Sequence, residues 1–192
     1  MNVYHHLNPD AFDAHPTHST RRQITSSSDL RAWLDQTGQN PGRDQTTTVT
    51  FIIDTDGWLW IADRHSEHIA CAAGRDVLSA GEMTFDSSQT EIFVSEVSNQ
   101  SLGYCPEPDS WPAVDEALNR AGISHPPGFT AEFVFRLCTT CHTKNVVKDN
   151  WFECAVCGMP LDQIWNFSCL QPHTINSQTE TPQIYGICKD EN

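Results

Sequence analysis

The chain has no apolar run approaching the ~20 residues that a membrane-crossing helix needs, so nothing in it is read as spanning a bilayer. Basic residues are scarce: 11 Lys and Arg stand against 25 Asp and Glu, for a formal net charge of −14. A surface of that sign repels phosphate backbones. It disfavours general nucleic-acid binding and points instead to solubility, or to a protein partner with a basic surface. Also missing are a glycine-rich phosphate loop, a Gly-x-Ser-x-Gly nucleophile elbow and any internal repeat. Hydrophobic residues reach only 38%, which polar stretches at both ends account for. The N-terminal MNVYHHLNPDAFDAHPTHSTRR has no apolar core behind a basic start, so no secretory signal is expected.

At 192 residues the chain suits one compact domain with a small appended module. A chain of this size buries enough surface to hold a core without metal. Its eight cysteines, with no export signal, suit a reducing, cytoplasmic setting in which clustered cysteines are metal ligands before they are disulfides.

Residues 1–28 are rich in His, Thr, Ser and Pro and read as a flexible arm. Residues 29–132 read as an α+β domain, with a mostly antiparallel sheet and one or two covering helices. Ser28-Asp29 is placed to cap a short helix through Leu30, Trp33 and Leu34, which share a face and give way at Gly38. Asn40-Pro41-Gly42 is turn chemistry. Val49, Phe51 and Ile53, a turn at Asp54–Gly57, and Trp58–Ile61 predict one hairpin. Val77–Phe85 and Thr90–Val97, around a turn near Asp86–Ser88, predict another. The segment WPAVDEALNRAG predicts a helix capped by Asp109 or Ser110 and stopped by Gly122. FTAEFVFRL predicts a strand that leads straight into the cysteines, and residues 162–192 read as a polar tail.

The sharpest pattern is C-x2-C-x12-C-x2-C: Cys138, Cys141, Cys154 and Cys157. Two residues between paired cysteines let each pair turn both thiolates onto one ion. The intervening HTKNVVKDNWFE is long enough for a hairpin that brings the pairs face to face. Four thiolates make a closed tetrahedral set, the pattern of structural Zn2+; iron takes the same ligands. Gly158 supplies backbone freedom after the last ligand. Over residues 133–161 the chain resembles the zinc-ribbon, rubredoxin-like knuckle family. That resemblance implies a structural clip, a protein-binding module or a nucleic-acid-binding one. The basic residues here are Arg136, Lys144 and Lys148, set against Asp149 and Glu153, with Trp151 and Phe152 as aromatics able to stack on a base or pack beside the site.

Upstream, His65, His68 and Cys71 recur three apart, a spacing that could hold a second metal or pair a thiol with a base, or simply be structural. Glu82, Asn99, Ser101, Tyr104 and Cys105 cluster around the second hairpin and the loop after it. With His68, a pocket there would make His68, Glu82, Asn99 and Tyr104 candidate catalytic residues, Glu82 or His68 serving as base. The same residues could instead serve turns and packing. Ala80-Gly81-Glu82 followed by Asn99, Ser101, Gly103, Tyr104 and Pro106 resembles a poorly characterised bacterial domain associated with polymorphic toxins and conflict systems, with Leu102 interrupting the usual spacing. Cys169 and Cys188 stand alone in the tail, with no metal partner evident for either, and could be free thiols. Three functions follow: a non-enzymatic zinc-binding protein that engages another protein, an enzyme with a pocket in residues 65–105, or nucleic-acid binding through the ribbon.

Overall fold

A computed structural model describes residues 2–8, 21–38, 46–87 and 91–167. The turn at Asn40–Gly42, Ser88, Thr90, Cys169 and Cys188 lie outside the described residues.

Alternation builds the centre. Strands β2 (Thr46–Asp54), β3 (Leu59–Asp63), β4 (Val77–Asp86) and β5 (Phe93–Val97) are joined by β1 (Arg22–Ile24) in a five-stranded antiparallel sheet of order β1-β3-β2-β4-β5. Val49, Phe51 and Ile53 point to one face with Met83 and Phe85. There they meet Leu30, Trp33 and Leu34 of α1 (Ser27–Thr37) and Val114, Ala117 and Leu118 of α3 (Trp111–Ala121). Ile52, Trp60 and Ala80 point to the opposite face. That face is covered at one end by Tyr4, Tyr104 and the short helix α2 (His68–Cys71). The fold is thus α+β with both helices of any length on one side.

Both hairpins and both main helices form as their patterns predict. Each helix ends on a left-handed glycine, Gly38 or Gly122. The caps differ. Ser26, not Ser28-Asp29, caps α1 by accepting from the Asp29 amide, while the Asp29 carboxylate reaches back to the Thr25 amide. A 3-10 turn, Pro108–Ser110, leads into α3 with no side-chain cap. Asp109 accepts from the Tyr4 hydroxyl at 3.2 Å, and Ser110 shares a hydrogen bond with Ser79 at 3.0 Å.

Parts of the segment read as an arm are folded. Tyr4 is buried and exchanges two main-chain hydrogen bonds with Val77, and Arg22–Ile24 forms the edge strand β1. Three residues are too few for alternation to register, and Tyr4 is a lone aromatic in a polar run. At the other end, Trp165 and Phe167 pack against Tyr4, Cys105 and Phe135, although the composition from Asp162 onward reads as a tail. The strand predicted from Phe129 shortens to β6 (Val134–Leu137), and its partner is not the main sheet but β7 (Lys144–Val147). The residues before it bridge to the end of β5, where the Thr130 amide donates to the Val97 carbonyl at 2.8 Å, and side chains add to this. Thr130 bonds the main chain of Val97, and Asn99 holds Phe133.

Gly81 is where the sheet is tightest: a Cβ there would sit 1.9 Å from the Ser98 carbonyl oxygen. Gly81→Ala should therefore cost about 2 kcal/mol or more in urea unfolding, because backbone cannot yield as a side chain can. Gly128→Ala, where an added Cβ meets nothing, should stay within about 0.5 kcal/mol.

Candidate metal centre

A two-stranded sheet is marginal by itself, and β6–β7 gains its support from the cysteines at its end. β6 delivers Cys138 at its end. The chain then turns through Cys141, returns as β7 and reverses at Asp149–Asn150, both left-handed as a tight hairpin turn requires. It comes back through Trp151 and Phe152 to Cys154 and Cys157.

The two knuckles are built alike. In the first, the His142 amide donates to the Cys138 carbonyl at 2.8 Å and the Cys138 amide to Thr143 at 3.0 Å. In the second, the Gly158 amide donates to Cys154 at 2.9 Å and the Cys154 amide to Met159 at 2.8 Å. The residue after each second cysteine is left-handed, His142 at φ 57° and Gly158 at 71°. This repeat converges the four sulfurs to within 4.8 Å of one another, with Cys138–Cys157 at 3.6 Å and Cys141–Cys154 at 3.5 Å. Those distances far exceed a disulfide bond of ~2.05 Å. They match the separation of about 3.8 Å between thiolates around a tetrahedral ion at ~2.3 Å. Among the described residues these cysteines are the one group arranged to hold a metal.

The proton chemistry agrees. The amides of Cys157 and Val156 hold the Cys154 thiol down to about 6. The Thr143 hydroxyl and amide lower Cys141. Cys157, although it receives the Met159 amide, is pushed up to about 12 by desolvation and the sulfurs around it. Four ionised thiols fit this volume only around a cation. Zinc and iron both suit the set.

Asn145, 7% exposed, ties the knuckles together. Its amide nitrogen donates to the Thr143 carbonyl at 2.8 Å and lies 3.7 Å from Cys154 Sγ, while its oxygen accepts from the Ala155 amide at 3.0 Å. Nothing in the sequence singles it out; a polar residue facing inward from a Val-rich strand is the only signal. Arg136, counted from sequence among basic residues that could face a nucleic acid, is 4% exposed. It donates to Glu107 at 2.7 Å, to the Asp162 carbonyl at 3.1 Å and to the Gln163 carbonyl at 2.8 Å. Lys144 donates to the Leu102 carbonyl at 2.9 Å.

With this geometry in place, comparison with known proteins returns nothing: no family model, no curated protein and no solved structure matches the chain. The likeness of the upstream region to a toxin-associated bacterial domain thus has no support there. Nor do its candidate residues share one pocket. His68 places Nε2 at 3.0 Å from the Gly81 carbonyl, and burial lowers its pKa. The Tyr104 hydroxyl donates to Arg75 at 2.7 Å, and burial raises its pKa. The Asn99 amide group donates to Pro106 and Phe133 and accepts from the Phe133 amide. Glu82, of these, lines an open groove, 3.8 Å from Arg64. Cys71 and Cys105 are buried thiols pushed up to about 12 by desolvation, which makes them poor nucleophiles. His65 is exposed beside Cys71's helix and joins no ligand group.

Purified protein should carry one equivalent of zinc or iron by elemental analysis, and Cys154→Ser should lose it together with protease resistance across residues 138–158. Asn145→Ala should retain the four ligands yet weaken the metal 10- to 100-fold in chelator competition.

Proposed function

We propose that this is a non-enzymatic zinc-binding protein whose ribbon engages another protein. The observation that carries the reading is where exposed apolar surface falls. Seven large apolar side chains are exposed among the described residues, and five of them, Val146, Trp151, Val156, Met159 and Ile164, lie on the ribbon or just after it. Scattered exposed apolar residues are ordinary, but concentration on one small module is the mark of a contact surface. Trp151, 69% exposed, is the type of residue that anchors such contacts.

A divalent metal bound there would offset two of the four thiolate charges and hold the knuckles closed. The chain's own residues do the rest: Asn145 sets one knuckle against the other, and Arg136 fixes the module to the domain. A nucleic-acid partner is less well supported. Arg136 and Lys144 are engaged within the fold, which leaves Lys148 against Asp149 and Glu153. Catalysis in residues 65–105 is likewise disfavoured, since His68, Asn99 and Tyr104 are all bonded to main chain.

A photo-crosslinking residue at Val156 should give a discrete heteromeric adduct in its native cell, and one at Glu116 on α3 should not. Trp151→Ser in the Val156 background should reduce the adduct several-fold while zinc content stays whole. Equal labelling from both positions, or a homodimer as the sole adduct, would reject the reading.

A further inference from the structure

Among the described residues, the sheet face opposite the two long helices is covered at only one end. At the other end Thr48, Glu82, Thr84 and Glu96 remain open and floor a groove of about 410 Å³. Thr130, Ala131 and Phe133 line its wall.

The groove carries unbalanced charge. Thr84 pairs with Glu96 across β4 and β5, which makes Glu82 and Glu96 diagonal neighbours on one face, about 7–8 Å apart. Two carboxylates on one face give the groove a negative field that favours a cation. Arg64 pairs with one of them, its Nη2 3.8 Å from Glu82 Oε2. Both side chains are well exposed, 58% and 35%, so the pair is loose and replaceable. Arg64 shows which chemistry the groove accepts. The half-buried Phe133, stacked on Phe135 at 6.2 Å, offers an aromatic flank for an aliphatic stem or a guanidinium plane.

The wall is rigid. Asn99 grips Phe133 by two main-chain hydrogen bonds of 2.7 Å, and the Thr130 hydroxyl bridges the amide and carbonyl of Val97. Gly81 lets the Ser98–Asn99 backbone close in. The residues that stood out in the sequence as a motif therefore build and hold this groove: Glu82 faces it, and Gly81 and Asn99 fix its shape. Preorganised walls lower the entropic cost of binding.

We infer that the groove binds a lysine or arginine side chain presented on an extended segment of a partner protein. The inference rests on the reading of this chain as a protein-binding module and adds the partner's chemistry. A groove this open covers one face of a side chain and its flanking peptide, whereas small-molecule sites enclose most of the ligand.

The test is an amide NMR titration of the zinc-loaded full chain with the capped peptide Ac-Gly-Ala-Arg-Ala-Gly-NH2, the same peptide with citrulline for arginine, and spermidine. The arginine peptide should give saturable shifts at Glu82, Thr84, Glu96 and Phe133. Its affinity should fall at least tenfold in Glu82→Gln/Glu96→Gln and several-fold between about 50 and about 500 mM salt. Citrulline keeps the shape without the charge and should not bind. Equal binding of the citrulline peptide, shifts spread over the acidic surface, no saturation, or tighter binding of spermidine than of the peptide would each overturn the inference. Trp151→Ser should leave the titration unchanged. Groove binding without a Val156 adduct would therefore reject only the ribbon as contact surface, and an adduct without groove binding would reject only the groove.

Discussion

The buried guanidinium of Arg136 is the interaction on which the arrangement of this protein depends. A charge removed from water needs compensation on every side. Arg136 finds it in two separate pieces of chain: the Glu107 carboxylate before α3, and the main-chain oxygens of Asp162 and Gln163 beyond the ribbon. It also stands two residues before the first metal ligand. The metal end and the sheet end of β6 are therefore held by different chemistry, thiolates on one side and a guanidinium on the other. Asn166 completes the link by pairing with both the amide and the carbonyl of Leu137, as a neighbouring strand would.

A second economy runs through the upstream loop. Polar side chains that look catalytic by type are spent on main-chain groups the fold would otherwise leave bare. Asn99 satisfies Pro106 and Phe133, Tyr104 satisfies Arg75, and His68 satisfies Gly81. Buried polar atoms without partners cost about 1–3 kcal/mol each, so these bonds are ample reason for Asn, Tyr and His at those positions. Cys105 fits the same scheme. Its positive φ turns the chain, and its carbonyl receives the Trp165 indole at 2.8 Å.

The sequence was most legible where periodicity or ligand spacing carried the information. Leu30, Trp33 and Leu34 disclosed a helix, Val49, Phe51 and Ile53 a strand, and the paired cysteines a tetrahedral cluster, because each pattern is local. What stayed hidden depends on contacts distant in the chain. Arg136 reads as a surface cation until its partners on both sides of the ribbon are known. Tyr4 and Arg22–Ile24 read as an arm because their stability comes from Val77 and β3, not from their neighbours in sequence. Asn145 is unremarkable in a string; only the knuckle-to-knuckle bridge gives it a role.

The place of Tyr4 also bears on the order in which the protein is made. Its ring meets Trp165 edge-on at 5.6 Å, and its hydroxyl accepts from the Glu107 amide at 3.2 Å. The residues around Tyr4 are made before those around Trp165, so their contacts close only once the later segment is present. Until the residues around Trp165 are synthesised, the sheet face bearing Ile52, Ala80 and Tyr104 lacks part of its cover, and the nascent chain carries that apolar surface in the open.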